Sequence, residues 1–69
     1  MPLVIADLDR EYIIKKVGGS SEVRNHLNNL GFNIGTVIKV ISTVGGNLIV
    51  CIKDTRIALD KALAQKITV

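Results

Sequence analysis

The chain has one cysteine, Cys51, one histidine, His26, one proline, no tryptophan, and only Tyr12 and Phe32 as aromatic residues. A single cysteine excludes an intrachain disulfide. Small secreted domains usually depend on several bridges, so a reducing compartment is expected. The longest apolar run, Leu48 to Ile52, has five residues, against roughly 20 for a bilayer-spanning helix. Met1 to Asp7 has neither the basic region nor the long apolar region of a signal peptide, and a soluble cytoplasmic protein is expected. Two aromatic rings are too few to line a proline-peptide groove or to stack single-stranded nucleic acid. Charge of one sign is also scarce. Nine Lys and Arg against six Asp and Glu leave +3. The basic residues are scattered, with Lys15-Lys16 the only adjacent pair. Asp7, Asp9, Arg10 and Glu11 mix signs, so no nucleic-acid partner is expected.

Chemistry is equally thinly supplied. Cys51 lies inside an apolar stretch, where a cysteine is expected to be buried and inert. His26 falls beside Leu27, one step off the apolar stripe of a helix. No GxSxG, HExxH or P-loop sequence is present. Gly18-Gly19-Ser20-Ser21 reads as a turn with a helix cap, since a phosphate loop would need GK[ST]. Structural zinc wants four Cys or His ligands, and Asp54, Glu22 and Asp60 have no ligand spacing around the two candidates. The expectation is a non-enzyme with no catalytic residue, no cofactor and no internal metal site. A weak surface site for Fe2+ at His26 stays open.

What is present fits one small domain over residues 1–69, with a mass of 7.5 kDa. Such a chain buries only ~60% of its unfolded surface. The residues up to Arg10 read as a lead-in. Glu11 to Val17 reads as a strand, with Tyr12, Ile14 and Lys16 on one face and Ile13, Lys15 and Val17 on the other. A helix follows, capped by Ser20 or Ser21, with Glu22 at the favourable end of its dipole. Val23, Leu27 and Leu30 form its apolar stripe and are expected in the core. Gly31 stops the helix, and Phe32 folds back onto its last turn. Gly35 precedes a strand over Thr36 to Thr43, and Gly45-Gly46 turns the chain into a returning strand, Leu48 to Lys53. That strand is apolar on both faces, which predicts a central, doubly covered position. Asp54-Thr55 reads as a turn, Arg56 to Leu59 as a strand, and Asp60 as the cap of a helical turn over Lys61 to Lys66 with Leu59, Ala62 and Leu63 inward. Ile67-Thr68-Val69 reads as an edge strand. The sum is a mostly β fold: a small, partly open β-barrel of about five strands, one short α-helix and a further helical turn.

The stretch Leu27-Asn28-Asn29-Leu30-Gly31-Phe32-Asn33-Ile34-Gly35-Thr36-Val37-Ile38-Lys39-Val40 resembles the central motif of the FeoA family: a helix ending in Leu, then Leu-Gly, an apolar residue, two variable residues, Gly and a β-rich strand. Ile13 to Gly19 is similar to that family's first strand and Gly-Gly turn. Arg56 to Leu59, Ala64 and Ile67-Thr68-Val69 resemble its ending. Arg10 stands where members often have a glycine before the first strand. The resemblance covers nearly the whole chain. It implies an SH3-like barrel and a small cytoplasmic accessory protein of bacterial ferrous iron uptake. It also implies a partner, the membrane transporter FeoB, and a location at the inner membrane through that partner.

On this reading Leu27, Leu30, Gly31, Phe32 and Gly35 are structural. Partner contacts are expected from exposed neighbours: His26, Asn29, Asn33 and the hairpin Gly45, Gly46 and Asn47. The alternative is a metal-responsive or nucleic-acid-binding small barrel, related to the C-terminal domain of metal-dependent repressors and consistent with a pI near 9.4. A weak homo-oligomer formed through exposed edges of the last strand and of Leu48 to Ile52 is a third expectation.

Overall fold

The computed structural model describes all residues from 1 to 69. Six strands, all paired antiparallel, make two sheets. They are β1 (Glu11–Ile13), β2 (Lys16–Val17), β3 (Val37–Val44), β4 (Asn47–Ile52), β5 (Thr55–Asp60) and β6 (Ile67–Thr68). Two helices interrupt them, α1 (Ser21–Leu30) and α2 (Lys61–Ala64). The larger sheet has the order β1-β3-β4-β5, and β2 pairs with β6 as a separate ribbon. This is the mostly β, partly open barrel that the sequence predicts, with one strand more. Fourteen residues are buried, and every one is hydrophobic. No polar or charged side chain is buried, so the side chains able to do chemistry are all at the surface.

The extra strand arises where the expected run Glu11 to Val17 breaks. The Ile14 amide donates to the Thr36 carbonyl at 2.9 Å, and the next amide, Lys15, donates to Thr68 at 2.8 Å. The chain thus leaves β3 and joins β6 within one residue, which is a barrel corner. The corner reverses the alternation. Ile14 and Val17 are both buried while Lys16 is exposed, so the two faces are not those of a single flat strand. The lead-in also differs from expectation. Leu3 to Ile5 forms a 3-10 turn with Leu3 fully buried. Met1 and Val69 clasp each other, the Met1 ammonium donating to Val69 at 3.0 Å and the Val69 amide to Met1 at 2.8 Å.

Helix α1 starts as its sequence dictates. The Ser20 hydroxyl accepts from the Val23 amide at 3.2 Å, and Glu22 lies in the first turn. Leu27 is fully buried and Val23 half-buried, but Leu30 is 38% exposed. The expected core place of Leu30 passes to Phe32. Gly31, at φ 107°, turns the chain left-handed, the Phe32 amide donates back to Leu27 at 2.9 Å, and the Phe32 ring enters the core.

Two tight hairpins build the rest of the large sheet. Gly45 and Gly46 both have positive φ, as a two-residue hairpin turn requires. The next turn is Lys53–Asp54, one residue earlier than expected, with φ of 48° and 63°. Aspartate tolerates this region, but without glycine the sequence does not mark the spot. Strand β4 is central, yet only Leu48, Val50 and Ile52 are buried. Ile49 and Cys51 on its other face are half-buried, so the double covering is only partial. Because β4 is bonded to β3 and β5 on both sides, it has no free edge for another chain. A bulge between Val40 and Ser42 shifts the β3–β4 register and bends the sheet. Asp60 caps α2, accepting from the Ala62 amide at 2.7 Å. It is Ala64 that is buried; Ala62 is exposed and Leu63 half-buried, because the short helix meets the core only with its last turn.

Candidate functional site

The polar residues expected to meet a partner lie in two places. His26 and Asn29 are on the solvent side of α1, and Asn33 follows the helix, half-buried. Asn33 lines an open polar cleft with Ser21, Arg24, Asn25 and Asn28 of α1. The hairpin Gly45, Gly46 and Asn47 is exposed and tied to α2 by the Lys61 amide, which donates to Gly46 at 3.2 Å. A Cβ on Gly31 would come within 3.0 Å of Ile52, so the end of α1 meets the far end of β4 from Asn47. Five residue steps separate those ends, ~17 Å at ~3.3 Å per residue. The helix-side residues and the hairpin are therefore separate patches. Of the structural residues, Leu27, Gly31 and Phe32 shape the end of α1 as described. The Gly35 amide donates to Ile14 at 2.8 Å, fixing the loop to the barrel corner.

Cys51 is half-buried rather than buried. It sits on the outer face of β4 with Lys39 and Arg56 as its register partners. No group of three or more His, Cys, Asp or Glu gathers anywhere.

One concave surface involves residues that sequence reasoning did not single out. A groove of about 670 Å³ is lined by Met1, Tyr12, Ile13, Val37 and Val69, with Glu11 and Lys15 at its border. Ile13 and Val37 are register partners on β1 and β3, exposed by 57% and 46%. The clasped termini supply Met1 and Val69. Tyr12 is held in place from outside the groove. Its hydroxyl accepts from the Asp7 amide at 3.0 Å, and the Arg10 guanidinium lies 5.5 Å from its ring centre. Arg10 also pairs with Asp7 at 3.6 Å, both side chains being well exposed. The groove therefore has a firm apolar floor with one acid and one base beside it. Such a surface can bury an apolar side chain of another protein and orient it by charge. The signal for it was the imperfect alternation of Glu11 to Val17, which left Ile13 apolar on the face away from the core.

Comparison with known proteins gives a consistent result. The FeoA domain family matches residues 1–69. A protein of Methanocaldococcus jannaschii, provisionally named Fe(2+) transport protein A, is 37% identical over 68 residues, covering 99% of this chain and 83% of its own. The FeoA of Stenotrophomonas maltophilia, crystallised with zinc and described as an SH3 domain protein, superimposes with a TM-score of 0.84 at 23% identity, covering 99% of this chain and 87% of its own. A manganese-dependent transcriptional repressor shares the fold with a TM-score of 0.87 at 14% identity, over 97% of this chain and 39% of its own. The barrel is thus SH3-like.

Proposed function

The chain belongs to the FeoA family, and from that premise we propose that it is an accessory protein of ferrous iron uptake that acts by binding the cytoplasmic side of the transporter FeoB. The observation that carries this reading is the groove of Met1, Tyr12, Ile13, Val37 and Val69. Three of these apolar side chains, Met1, Ile13 and Val37, are exposed, on a chain that buries no polar or charged residue. An apolar segment of the transporter fits it, with Glu11 and Lys15 setting the orientation. The polar cleft around Asn33, together with His26 and Asn29, forms a second contact area, and the hairpin Gly45, Gly46 and Asn47 a third. No helix here is long and apolar enough to cross a membrane. In this reading the chain is held at the inner membrane through its partner. It carries out no catalytic step and has no cofactor of its own; iron is the transporter's cargo.

The test is capture of detergent-solubilised FeoB on the tagged protein, with and without guanine nucleotides. Specific retention supports the reading, and a dependence on nucleotide would assign the contact to the GTP-binding domain. No retention in any nucleotide state would overturn it.

A second reading, a metal-responsive or nucleic-acid-binding barrel, has one observation in its favour: the fold likeness to the manganese-dependent repressor. Retention on duplex DNA at low salt, falling steeply as salt rises, is what it requires.

A further inference from the structure

The sheet order leaves β5 with a neighbour on one side only. The hydrogen-bond phase of the β4–β5 hairpin tells which backbone groups face the open side. The Lys61 amide donates to Gly46, which makes that pair a bonded one. Bonded pairs recur at every second position of an antiparallel ladder. Leu48–Leu59, Val50–Ile57 and Ile52–Thr55 are then bonded, and Cys51–Arg56, Ile49–Ala58 and Asn47–Asp60 are not. The amides and carbonyls of Arg56 and Ala58, and the amide of Asp60, therefore point away from β4. The carbonyl of Asp60, as the N-cap residue, is already positioned for the first bond of α2.

Natural edge strands usually defend themselves with proline, bulges or charged side chains. β5 contains no proline and its register runs unbroken over six pairs. Its two charges, Arg56 and Asp60, are of opposite sign, so they can pair with a second copy in antiparallel register where charges of one sign would repel it. Arg56, Ala58 and Asp60 share the exposed face. Arg56 takes part in no ion pair within the chain, where Arg10–Asp7 is the salt bridge present. Asp60 uses one carboxylate oxygen for its cap and keeps the other free.

We propose that β5 pairs antiparallel with β5 of a second copy of this chain, about a two-fold axis at Ala58. Only registers that set these outward-facing residues opposite one another allow bonding, and the one centred on Ala58 uses them most fully. Ala58 then faces Ala58 of the second copy, and Arg56 faces Asp60 twice. Two small side chains meet at the axis, with an opposite-charge pair on either side of it. The result is a continuous sheet of eight strands through both copies, an isologous contact. This contact does not involve the apolar groove and stands apart from the reading of the chain as a transporter accessory.

Sedimentation over a concentration series tests it with the full chain. The unmodified protein moves from monomer towards dimer as concentration rises. Arg56→Glu, an exposed change, sets two acidic groups opposite each other and weakens dimerisation about tenfold or more. Asp60→Lys sets two basic groups opposite each other and does the same. An equimolar mixture of the two variants sets opposite charges opposite each other at both positions, and a heterodimer forms. A monomer at every concentration, Arg56→Glu dimerising as well as the unmodified protein, or a mixture no more associated than its components would overturn the proposal.

Discussion

At the scale of single residues, the account rests on how α1 is tied down. Leu27 is buried completely and Leu30 is not, although the two are three residues apart on the same apparent stripe. Leu27→Ala is expected to cost about 2–5 kcal/mol, in the range of large-to-small core changes. Leu30→Ala, at a position 38% exposed and outside the core, should stay within about 1 kcal/mol. Urea denaturation of both variants measures the contrast, and equal losses would mean that the helix packs by a different face. Gly31→Ala meets two obstacles, the φ of 107° and the Ile52 side chain 3.0 Å from the new Cβ. A loss of about 1–3 kcal/mol is expected by the same measurement. The stop at Gly31 and the inward turn of Phe32 were legible in the sequence, because Leu-Gly-Phe after an apolar stripe has a single local solution. The exposure of Leu30 was not. It depends on where the helix ends relative to the sheet, which is a tertiary distance with no local signature.

At the scale of elements, the caps and the Gly45–Gly46 hairpin were legible and the corner was not. Ser20, Asp60 and the Gly45–Gly46 turn act locally, through side chains or φ angles within a few residues. Ser20→Ala removes the acceptor for the Val23 amide and is expected to cost about 1 kcal/mol. Amide exchange in the first turn of α1 should speed up accordingly, and unchanged exchange there would show that the cap is dispensable. The split of Glu11 to Val17 into β1 and β2 is decided by Thr36 and Thr68, which lie far along the chain. No periodicity within seven residues encodes a change of partner strand. The Lys53–Asp54 turn was misplaced by one residue for a related reason, since two non-glycine residues adopt the left-handed region only under the demand of the hairpin.

At the scale of the whole molecule, the fold class and the family follow from the ordered sequence pattern. The groove does not, because it needs the two ends of the chain. Met1 and Val69 reach it only through their mutual clasp. The candidate residues chosen from exposure alone, His26, Asn29, Asn33 and the Gly45–Gly46–Asn47 hairpin, fell on separate patches because exposure in a sequence has no coordinates. The apolar floor at Ile13 and Val37 is the feature on which the proposed transporter binding turns. Ile13 is 57% exposed, so Ile13→Asp should leave the fold and its far-ultraviolet circular dichroism unchanged while placing a charge in the groove. The most direct measurement is the affinity of purified FeoB for the unmodified protein and for Ile13→Asp, side by side. The account predicts binding by the first and a loss of at least tenfold by the second, as desolvating an unpaired carboxylate against an apolar segment requires. Equal affinity of the two proteins would contradict it.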